Sequence, residues 1–349
     1  MPPWDLLIDR NDLQRTEVRN AGRTALDAGE ARLAVERLAL TANNVTYGLM
    51  GESFGYWKFF PAPEGFGRIP AWGFARVIES TAPDAPVGLR LFGYLPMSSE
   101  VVMRLSRTRT GFLDAAAHRS GLPPTYNAYT EAPDDALDDH RALLRPLLMT
   151  SFLLDDLLAQ DAALTKLVLS SASSKTGMGL AWFARRRGLE VIGLSSPANA
   201  ERLRALGLYD AVLPYDRASD LRPSGPAAYI DFAGDAAIAL AAHTALGAAL
   251  TRSLIVGVTH WQAAGPAQTP PPGPTPTLFF APDQVRKRMA DWGPGELDAR
   301  FDAALRAFVA DAGWLNLVQH QGPQGLADAY RSIIGGRVRP EDGHIIRPA

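Results

Sequence analysis

Residues 164–179, LTKLVLSSASSKTGMG, pass from a short apolar run into a turn of small polar residues and then into a helix. The apolar run is typical of a buried strand, and the helix is predicted to extend from Thr176 to Arg187, before Gly188. Small residues at such a turn let a ligand approach free backbone N–H groups and the positive end of the helix dipole. The turn between this strand and helix is therefore the first candidate binding site.

The same alternation of strand and helix continues along the chain. After the strand at 164–171, further buried strands are predicted at 189–195, 210–215, 228–232 and 252–258, and a helix at 197–206 begins with Pro197 and ends at Gly207. Alternating strands and helices of this length imply a parallel sheet with helices on both faces. The sequence thus predicts an α/β fold of the dinucleotide-binding type.

The turn after Leu169 does not follow the usual glycine pattern. Ser173, Ser174 and Lys175 occupy positions where a standard loop is rich in glycine, while Thr176 and Gly177 open the helix. Hydroxyl groups and the Lys175 ammonium add donors for a diphosphate. Two interpretations stay open, a nucleotide-binding turn formed by these five residues and a purely structural turn.

The end of the second strand bears on the choice of cofactor. An NAD site normally has an acidic residue there, which binds the ribose 2′-hydroxyl. This chain has Ser195 and Ser196, with Asn199 and Arg202 just downstream, so no carboxylate would repel a 2′-phosphate. If a dinucleotide binds, we expect NADP(H). The alternative is that the two serines only begin and cap the following helix.

The first half of the chain is predicted to be rich in β-structure, with strands at 31–41, 72–80 and 87–95. Residues 48–73 are predicted to be a long loop rich in glycine, proline and aromatic residues. A helix is expected over 134–160, and the proline-rich residues 262–277 are expected to hold neither helix nor sheet. Helices at 298–312 and 325–334 and a strand at 343–347 complete the prediction.

Composition excludes several classes of function. The chain has no cysteine, and its six histidines are scattered without HxH or HExxH spacing, so we expect no metal. A formal net charge of −2 argues against binding to nucleic acid or to an anionic membrane surface. No basic leader precedes an apolar run, and no apolar stretch reaches membrane-spanning length, so a cytoplasmic protein is expected.

The order of these elements resembles the medium-chain dehydrogenase/reductase superfamily, especially its zinc-free quinone oxidoreductases and enoyl reductases. Residues 38–47 are similar to its strand and NxxD turn, residues 69–78 to its PxxxGxExxGxV segment, and residues 166–215 to its glycine-loop stretch. More narrowly, residues 125–129 and 170–176 resemble the DUF2855 family.

The resemblance implies a GroES-like β-rich domain built from both chain ends, 1–135 and 281–349, and an inserted Rossmann domain, 136–280. This chain also departs from the superfamily pattern at two places. The residues that stand for its GGVG sequence are Ser174 to Gly177, and Tyr47 stands for the acidic residue of its NxxD turn.

Hydride transfer needs a proton donor near the substrate, and a phenol is suitable. The resemblance puts Tyr47 in the turn that faces the nicotinamide, and Tyr56 follows in the aromatic loop. Asn44 is a candidate for positioning a substrate oxygen or the ribose. The candidate lining of a substrate pocket is Trp57, Tyr126, Asn127 and Tyr129. For each of these residues the alternative is an ordinary packed side chain.

We therefore predict an NADPH-dependent reductase of an enone, enoyl thioester or quinone, with a small apolar or acyl substrate and a possible homodimer. Two alternatives stay open. One is a degenerate member that has lost hydride transfer and acts as a binding or accessory protein, and the other is a redox-neutral lyase or isomerase acting on an acyl chain.

Overall fold

The computed structural model describes residues 2–256, 271–293 and 295–348 of the chain. Its strands are β1 (Trp4–Asp9), β2 (Thr16–Asn20), β3 (Glu30–Leu40), β4 (Phe66–Gly67), β5 (Pro70–Ser80), β6 (Arg90–Pro96), β7 (Glu100–Thr108), β8 (Gly111–Asp114), β9 (Ala128–Glu131), β10 (Lys166–Leu169), β11 (Glu190–Ser195), β12 (Ala211–Pro214), β13 (Ala227–Asp231), β14 (Leu250–Ile255), β15 (Thr277–Leu278), β16 (Asn316–Gln321) and β17 (Asp342–Arg347). Its α-helices are α1 (Ala42–Leu49), α2 (Asp138–Leu158), α3 (Lys175–Arg186), α4 (Pro197–Leu206), α5 (Ala236–Leu246), α6 (Ala281–Trp292), α7 (Glu296–Asp311) and α8 (Gly322–Ile334).

The chain divides into two compact units. Unit 1 comprises Met1–Leu143 and Leu315–Ala349, and unit 2 comprises Leu144–Trp314. Both ends of the chain therefore belong to the same unit, because β17 at the C-terminal end pairs antiparallel with β3 near the N-terminal end.

Unit 1 is built on an eight-stranded sheet with the order β16-β17-β3-β5-β6-β9-β8-β7. Strand β3 also pairs with β7, so the sheet closes on itself from β3 to β7 as a barrel does. Its interior is apolar and includes Leu33, Val77, Leu91 and Met103, each at most 1% exposed. Apolar side chains at alternate positions of β3 and β5, such as Leu33, Val35, Ala75 and Val77, thus supply one buried face to the barrel.

Unit 2 is built on a six-stranded sheet with the order β12-β11-β10-β13-β14-β15, and every neighbouring pair is parallel. The strand order reverses beside β10, where β11 lies on one side and β13 on the other. Val168, Leu169 and Ile230 are fully buried, as expected when helices cover both faces of a parallel sheet. This is a Rossmann sheet, and ligands of such sheets bind at the carboxyl ends of the strands where the order reverses.

The predicted fold class, a GroES-like β-rich domain from both chain ends with an inserted Rossmann domain, is confirmed. Helices α3 and α4 and strands β10 to β14 begin and end within a few residues of the predicted bounds. The prediction of an irregular 48–73 was wrong in part, because this stretch holds the end of α1, a short 3-10 turn at Tyr56–Lys58, and β4. Residues 257–270, which carry the end of one predicted strand and most of the proline-rich segment, lie outside the described residues.

The second domain boundary differs from the one expected after residue 280. Helices α6 and α7 belong to unit 2, because Leu297 lies in its apolar core and Phe301 packs edge-on against Phe152 with ring centroids 6.1 Å apart. Only residues from Leu315 onward return to the β-rich unit. The sequence contained no compositional change at that point that would have marked it.

Among the described residues, the structure contains no helix with both the length and the apolar character needed to cross a membrane.

Candidate functional site

The turn between β10 and α3 in unit 2 is closed by its own hydrogen bonds. Ser174 caps α3, with its Oγ accepting the N–H of Gly177 at 3.1 Å, and its own N–H donates to the Ser171 carbonyl at 2.9 Å. Ser171 has φ +47°, a left-handed conformation that is uncommon outside glycine. The first-turn N–H groups of α3 point out of the helix without intrahelical acceptors, as at every helix start.

A buried polar network that the sequence did not predict supports this turn from below. The Ser170 hydroxyl donates to Asp231 Oδ1 at 2.6 Å, and it accepts the N–H groups of Phe232 and Ala233. Asp231 also accepts the N–H of Gly234 at 3.0 Å. Because Ser170 directly follows β10 and Asp231 ends β13, this network fixes the two strand ends between which the sheet order reverses.

The other side of the turn is held by Tyr209, whose hydroxyl donates to the Ala172 carbonyl at 2.6 Å. Gly193 on β11 permits this close packing, because a Cβ there would lie only 2.8 Å from the Ala172 side chain. Lys175 is half-buried at the start of α3. The five predicted turn residues, Ser173 to Gly177, are thus presented on a rigid support.

The end of β11 carries the residues that the sequence suggested for a ribose site. Ser195 is fully buried, and its Oγ has no hydrogen-bond partner among the described residues. Ser196 caps α4 by accepting the N–H of Asn199 at 3.4 Å, so the predicted capping role is real. Asn199 is half-buried and Arg202 is exposed. No carboxylate stands between Ser195 and Ala200.

Unit 1 contains a cluster of four tyrosines, Tyr47, Tyr56, Tyr94 and Tyr126, which we call the tyrosine cluster. The Tyr47 ring centroid lies 4.8 Å from that of Tyr56 and 5.3 Å from that of Tyr94, and the Tyr94 and Tyr126 centroids are 5.0 Å apart. Trp72 packs against the cluster, 5.4 Å from Tyr94. Three of the predicted site residues, Tyr47, Tyr56 and Tyr126, are therefore brought together.

The hydroxyl groups of the tyrosine cluster differ in their bonding. Tyr47 Oη accepts from Asn43 Nδ2 at 2.7 Å and from Trp72 Nε1 at 3.4 Å, while the Tyr56 hydroxyl donates to that of Tyr126 at 3.5 Å. The Tyr94 hydroxyl is fully buried and lies beside that of Tyr47. Burial, followed by the nearby Tyr126, raises the pKa of Tyr47 well above its usual range, so the phenol stays protonated at neutral pH.

Asn44 holds the backbone rather than facing an open site. Its Oδ1 accepts the Thr41 N–H at 2.8 Å in a capping box, and its Nδ2 donates to the Pro70 carbonyl at 2.9 Å. One end of the buried amide therefore closes the start of α1, and the other end joins α1 to β5. The neighbouring Asn43 is the residue that contacts Tyr47.

Three of the predicted pocket residues have structural contacts. Trp57 is 4% exposed and lies against Gly51 and Gly67, where a Cβ would overlap its indole. The Asn127 amide donates to the Asp114 carbonyl at 2.9 Å, and the buried Tyr129 hydroxyl donates to the Tyr94 carbonyl at 2.8 Å. Of the four pocket candidates, only Tyr126 belongs to the tyrosine cluster.

In the parts of the chain that the structure describes, no three His, Asp or Glu side chains lie close enough together to hold a metal ion. His320 and His344 form a pair with ring nitrogens 3.0 Å apart, and His243 bonds the Pro272 carbonyl and the Ser253 hydroxyl. His260 lies outside the described residues.

Comparison with known proteins identifies the family. Residues 38–339 match the model of a family described as "Protein of unknown function (DUF2855)". The chain belongs to the DUF2855 family. No curated protein sequence matches it.

Solved structures share the fold of this DUF2855 member over essentially the whole chain. CurA from Vibrio vulnificus, solved in complex with NADPH, is 12% identical with a TM-score of 0.67, covering 99% of each chain. The yhdH oxidoreductase from Salmonella enterica, solved with NADP, is 15% identical with a TM-score of 0.59 over 99% of this chain and 100% of its own. The CurF ER cyclopropanase from the curacin A biosynthetic pathway is 14% identical with a TM-score of 0.62 over 100% of both. The resemblance to the medium-chain dehydrogenase/reductase fold is confirmed.

Proposed function

We propose that this DUF2855 protein is an NADPH-dependent, zinc-independent reductase of an activated carbon–carbon double bond or carbonyl group. The observation that carries the proposal is the strand order of unit 2, which reverses beside β10 directly below the turn of Ser173 to Gly177. Proteins of the same fold have been solved with NADPH or NADP, among them CurA and the yhdH oxidoreductase.

The residues of unit 2 suit a phosphorylated dinucleotide. The start of α3 offers N–H groups and a positive dipole end to a diphosphate, and Lys175 adds a positive charge there. The buried Ser195 Oγ, without a partner among the described residues, would gain one from a ribose hydroxyl. Ser196 and Asn199 leave residues 195–200 free of carboxylates, which favours a 2′-phosphate, and beyond Glu201 the exposed Arg202 adds a positive charge.

When bound, NADPH would supply a hydride to the substrate, and the reaction is completed by a proton. The residues of unit 1 that suit this second part are Tyr47 and Tyr56, whose hydroxyls can donate a hydrogen bond to an oxygen that gains negative charge. Burial keeps both phenols protonated, because desolvation raises the pKa of each one. The rings of the tyrosine cluster and Trp72 provide apolar contacts for an enone, acyl or quinone substrate.

A second function is favoured by one specific observation. Ser174 Oγ already accepts the N–H of Gly177, a donor that a glycine in place of Ser174 would leave to a diphosphate. A member with this self-capped turn would bind a nucleotide weakly, or act as an accessory protein that has lost hydride transfer.

The test is calorimetric titration of the purified protein with NADPH and, separately, with NADH. We expect saturable binding of NADPH that is tighter than that of NADH. We also expect loss of NADPH absorbance on addition of 2-cyclohexenone, crotonyl-N-acetylcysteamine or 1,4-benzoquinone. Absence of NADPH binding at high protein concentration would contradict the proposal. Binding without turnover of any of the three substrates would favour the accessory function.

A further inference from the structure

A cavity of about 260 Å³ opens at the surface of unit 1. Its lining residues all fall within Met1–Leu143 and include the turn after β2, the start of β7 and residues that follow β8. None of the four residues of the tyrosine cluster lines it, although the lining residue Phe59 packs edge-on against Tyr94 with ring centroids 5.4 Å apart. Sites for drug-sized ligands measure about 300–1,000 Å³, so this separate cavity suits a smaller molecule.

Three carboxylates line the cavity, and each of their oxygens already has a partner. Asp5 accepts a serine hydroxyl through Oδ1 and Arg68 Nη2 through Oδ2, each at 2.6 Å. Asp114 accepts two backbone N–H groups through Oδ1, and its Oδ2 lies 3.2 Å from Arg119 Nη2. Glu100 forms a two-point pair with an arginine that does not line the cavity. The carboxylates of this cavity are therefore engaged within the protein, which disfavours a cationic ligand.

Two arginines that line the cavity have N–H donors to spare. Arg119 is 3% exposed, and its Nε has no hydrogen-bond partner among the described residues. Its terminal nitrogens contact Asp114, Asn127 and Tyr129 at 3.2–3.4 Å, longer than the about 2.7–2.9 Å of a strong charge-assisted bond. The half-buried Arg68 also has a buried Nε without a partner in the described part of the chain. Because an unbonded N–H is unfavourable there, the cavity favours a ligand that brings acceptor oxygens.

Apolar side chains form much of the wall around Arg119. Its guanidinium lies over the rings of Phe60 and Phe59, 4.5 Å and 5.2 Å from their centroids. Val101 and Val102, at the start of β7, also line the cavity. The wall therefore suits a ligand that carries an apolar body beside its acceptor oxygens.

The charges of the lining decide between two kinds of anion. The three arginines that line the cavity are balanced by the three carboxylates. A phosphate monoester would add about −1.5 to −2 of charge to this balanced wall, whereas a carboxylate adds a single negative charge. The planar guanidinium also matches the geometry of a carboxylate and binds it more strongly than a neutral acceptor. A monocarboxylate is therefore the ligand that fits best.

We propose that this cavity binds a small monocarboxylate with an apolar body, whose oxygens accept N–H groups of Arg68 and Arg119. Because both Nε atoms are buried, the guanidinium groups must turn slightly towards the ligand, and the long contacts of Arg119 permit such a movement. All lining residues belong to unit 1, so the inference goes beyond the proposed reductase function and does not depend on NADPH.

The first experiment titrates the purified protein, without NADPH, with 4-fluorobenzoate, 4-fluorobenzamide and 4-fluorobenzylamine, and it follows the fluorine NMR signal of each probe. The three probes share a ring and differ in charge. We expect saturable binding of the benzoate, at least about 10-fold tighter than that of the benzamide, and no binding of the benzylamine. The proposal is overturned if the benzamide or the benzylamine binds as tightly as the benzoate. It is also overturned if the benzoate does not saturate the protein by about 10 mM.

The second readout identifies the arginines through the NMR signals of their Nε–H groups. We expect the benzoate to shift two of these signals downfield, and one of the two should be absent from Arg68→Lys. This variant keeps the positive charge beside Asp5 and removes the Nε–H, so it should bind the benzoate about 10-fold more weakly. Arg306→Lys, on the exposed face of α7, is the matched control and should bind as the wild type does. Unchanged affinity in Arg68→Lys would contradict the assignment.

A third measurement locates the ligand without touching the arginines. Val102 and Val18 are strand residues of unit 1 that are 36% and 40% exposed, and Val102 lines the cavity whereas Val18 does not. Val102→Trp should fill part of the cavity and weaken benzoate binding by at least about 10-fold, while the melting temperature stays at the wild-type value. Val18→Trp should bind the benzoate as the wild type does. Benzoate affinity that is unchanged in Val102→Trp would place the ligand elsewhere and overturn the proposal.

Discussion

Ser174 Oγ accepts the backbone N–H of Gly177 at 3.1 Å, so α3 is capped by a residue of the same turn that we propose for the cofactor diphosphate. A cap and a phosphate compete for the same N–H groups. The two roles can be separated by mutation, because the cap contributes to folding and the phosphate contributes only to binding.

Ser174→Ala tests this competition. Loss of the N-cap should lower the free energy of unfolding by about 1 kcal/mol, and the released Gly177 N–H should leave NADPH affinity unchanged or higher. Urea unfolding and calorimetry measure the two effects. Asp235→Ala, which removes the comparable cap of α5, is the control for stability. A fall in NADPH affinity of more than about 10-fold would mean that the Ser174 hydroxyl itself binds the cofactor.

Arg202→Ala tests the choice between NADPH and NADH. Its exposed guanidinium lies on the first turns of α4, after residues 195–200, which contain no carboxylate, and after Glu201; its loss should weaken NADPH binding by about 10-fold and leave NADH binding unchanged. Calorimetric dissociation constants for both nucleotides provide the measurement. Arg306→Ala, on the exposed face of α7, should change neither constant. An equal loss of affinity for NADPH and NADH would show that Arg202 does not contact the 2′-phosphate.

Truncation of the adjacent residues Asn43 and Asn44 should destabilise the protein to different extents. Asn44→Ala removes half of the capping box and the buried bond to the Pro70 carbonyl, so the free energy of unfolding should fall by about 2 kcal/mol. Replacing the half-buried Asn43 by Ala should lower the free energy of unfolding by less than about 0.5 kcal/mol. Chemical denaturation of the two variants measures the difference. Equal destabilisation by the two substitutions would contradict a structural role for Asn44 that Asn43 does not share.

Alkaline pH should destabilise the protein through its buried tyrosines. Burial raises the pKa of Tyr129 to about 12, against an opposing effect of Arg119, and raises that of Tyr215 to about 12. Because an unfolded tyrosine ionises near pH 10, the folded state binds more protons above that pH, and folding stability should be level below about pH 10 and fall above it. Urea midpoints and tyrosinate absorbance from about pH 8 to about pH 12 test this. Ionisation of all nine tyrosines near pH 10 without unfolding would contradict it.

The burial of Trp57 can be tested through the glycine that faces it. A Cβ at Gly51 would overlap the indole ring, so Gly51→Ala should lower the free energy of unfolding by about 1–3 kcal/mol. Gly22→Ala is the control, because a Cβ there meets nothing within 4 Å. Thermal unfolding provides the measurement. An unaffected melting temperature in Gly51→Ala would contradict this packing and return Trp57 to the candidate pocket residues.

Much of the fold could be predicted because its signals are local. Residues close together in the chain determine the apolar runs at β10, β11 and β13 and the ends of α4 at Pro197 and Gly207. The homodimer was not tested by these features and stays a prediction. The boundary at residue 314 could not be found, because it depends on the side chains that Leu297 and Phe301 contact in space.

The features of the candidate site likewise fall into those set by local sequence and those set by tertiary packing. The sequence by itself determined the Rossmann architecture, the Ser–Lys turn and the absence of a carboxylate after β11, since each of these is a matter of residue type and short spacing. Only the tertiary structure decided that Asn43 and not Asn44 contacts Tyr47, that Trp72 on β5 contacts the same oxygen, and that Asp231 supports the turn through Ser170. A hydrogen bond between residues 25 or 61 positions apart depends on how strands are brought together. Packing of the whole unit fixes that arrangement, and no local pattern records it.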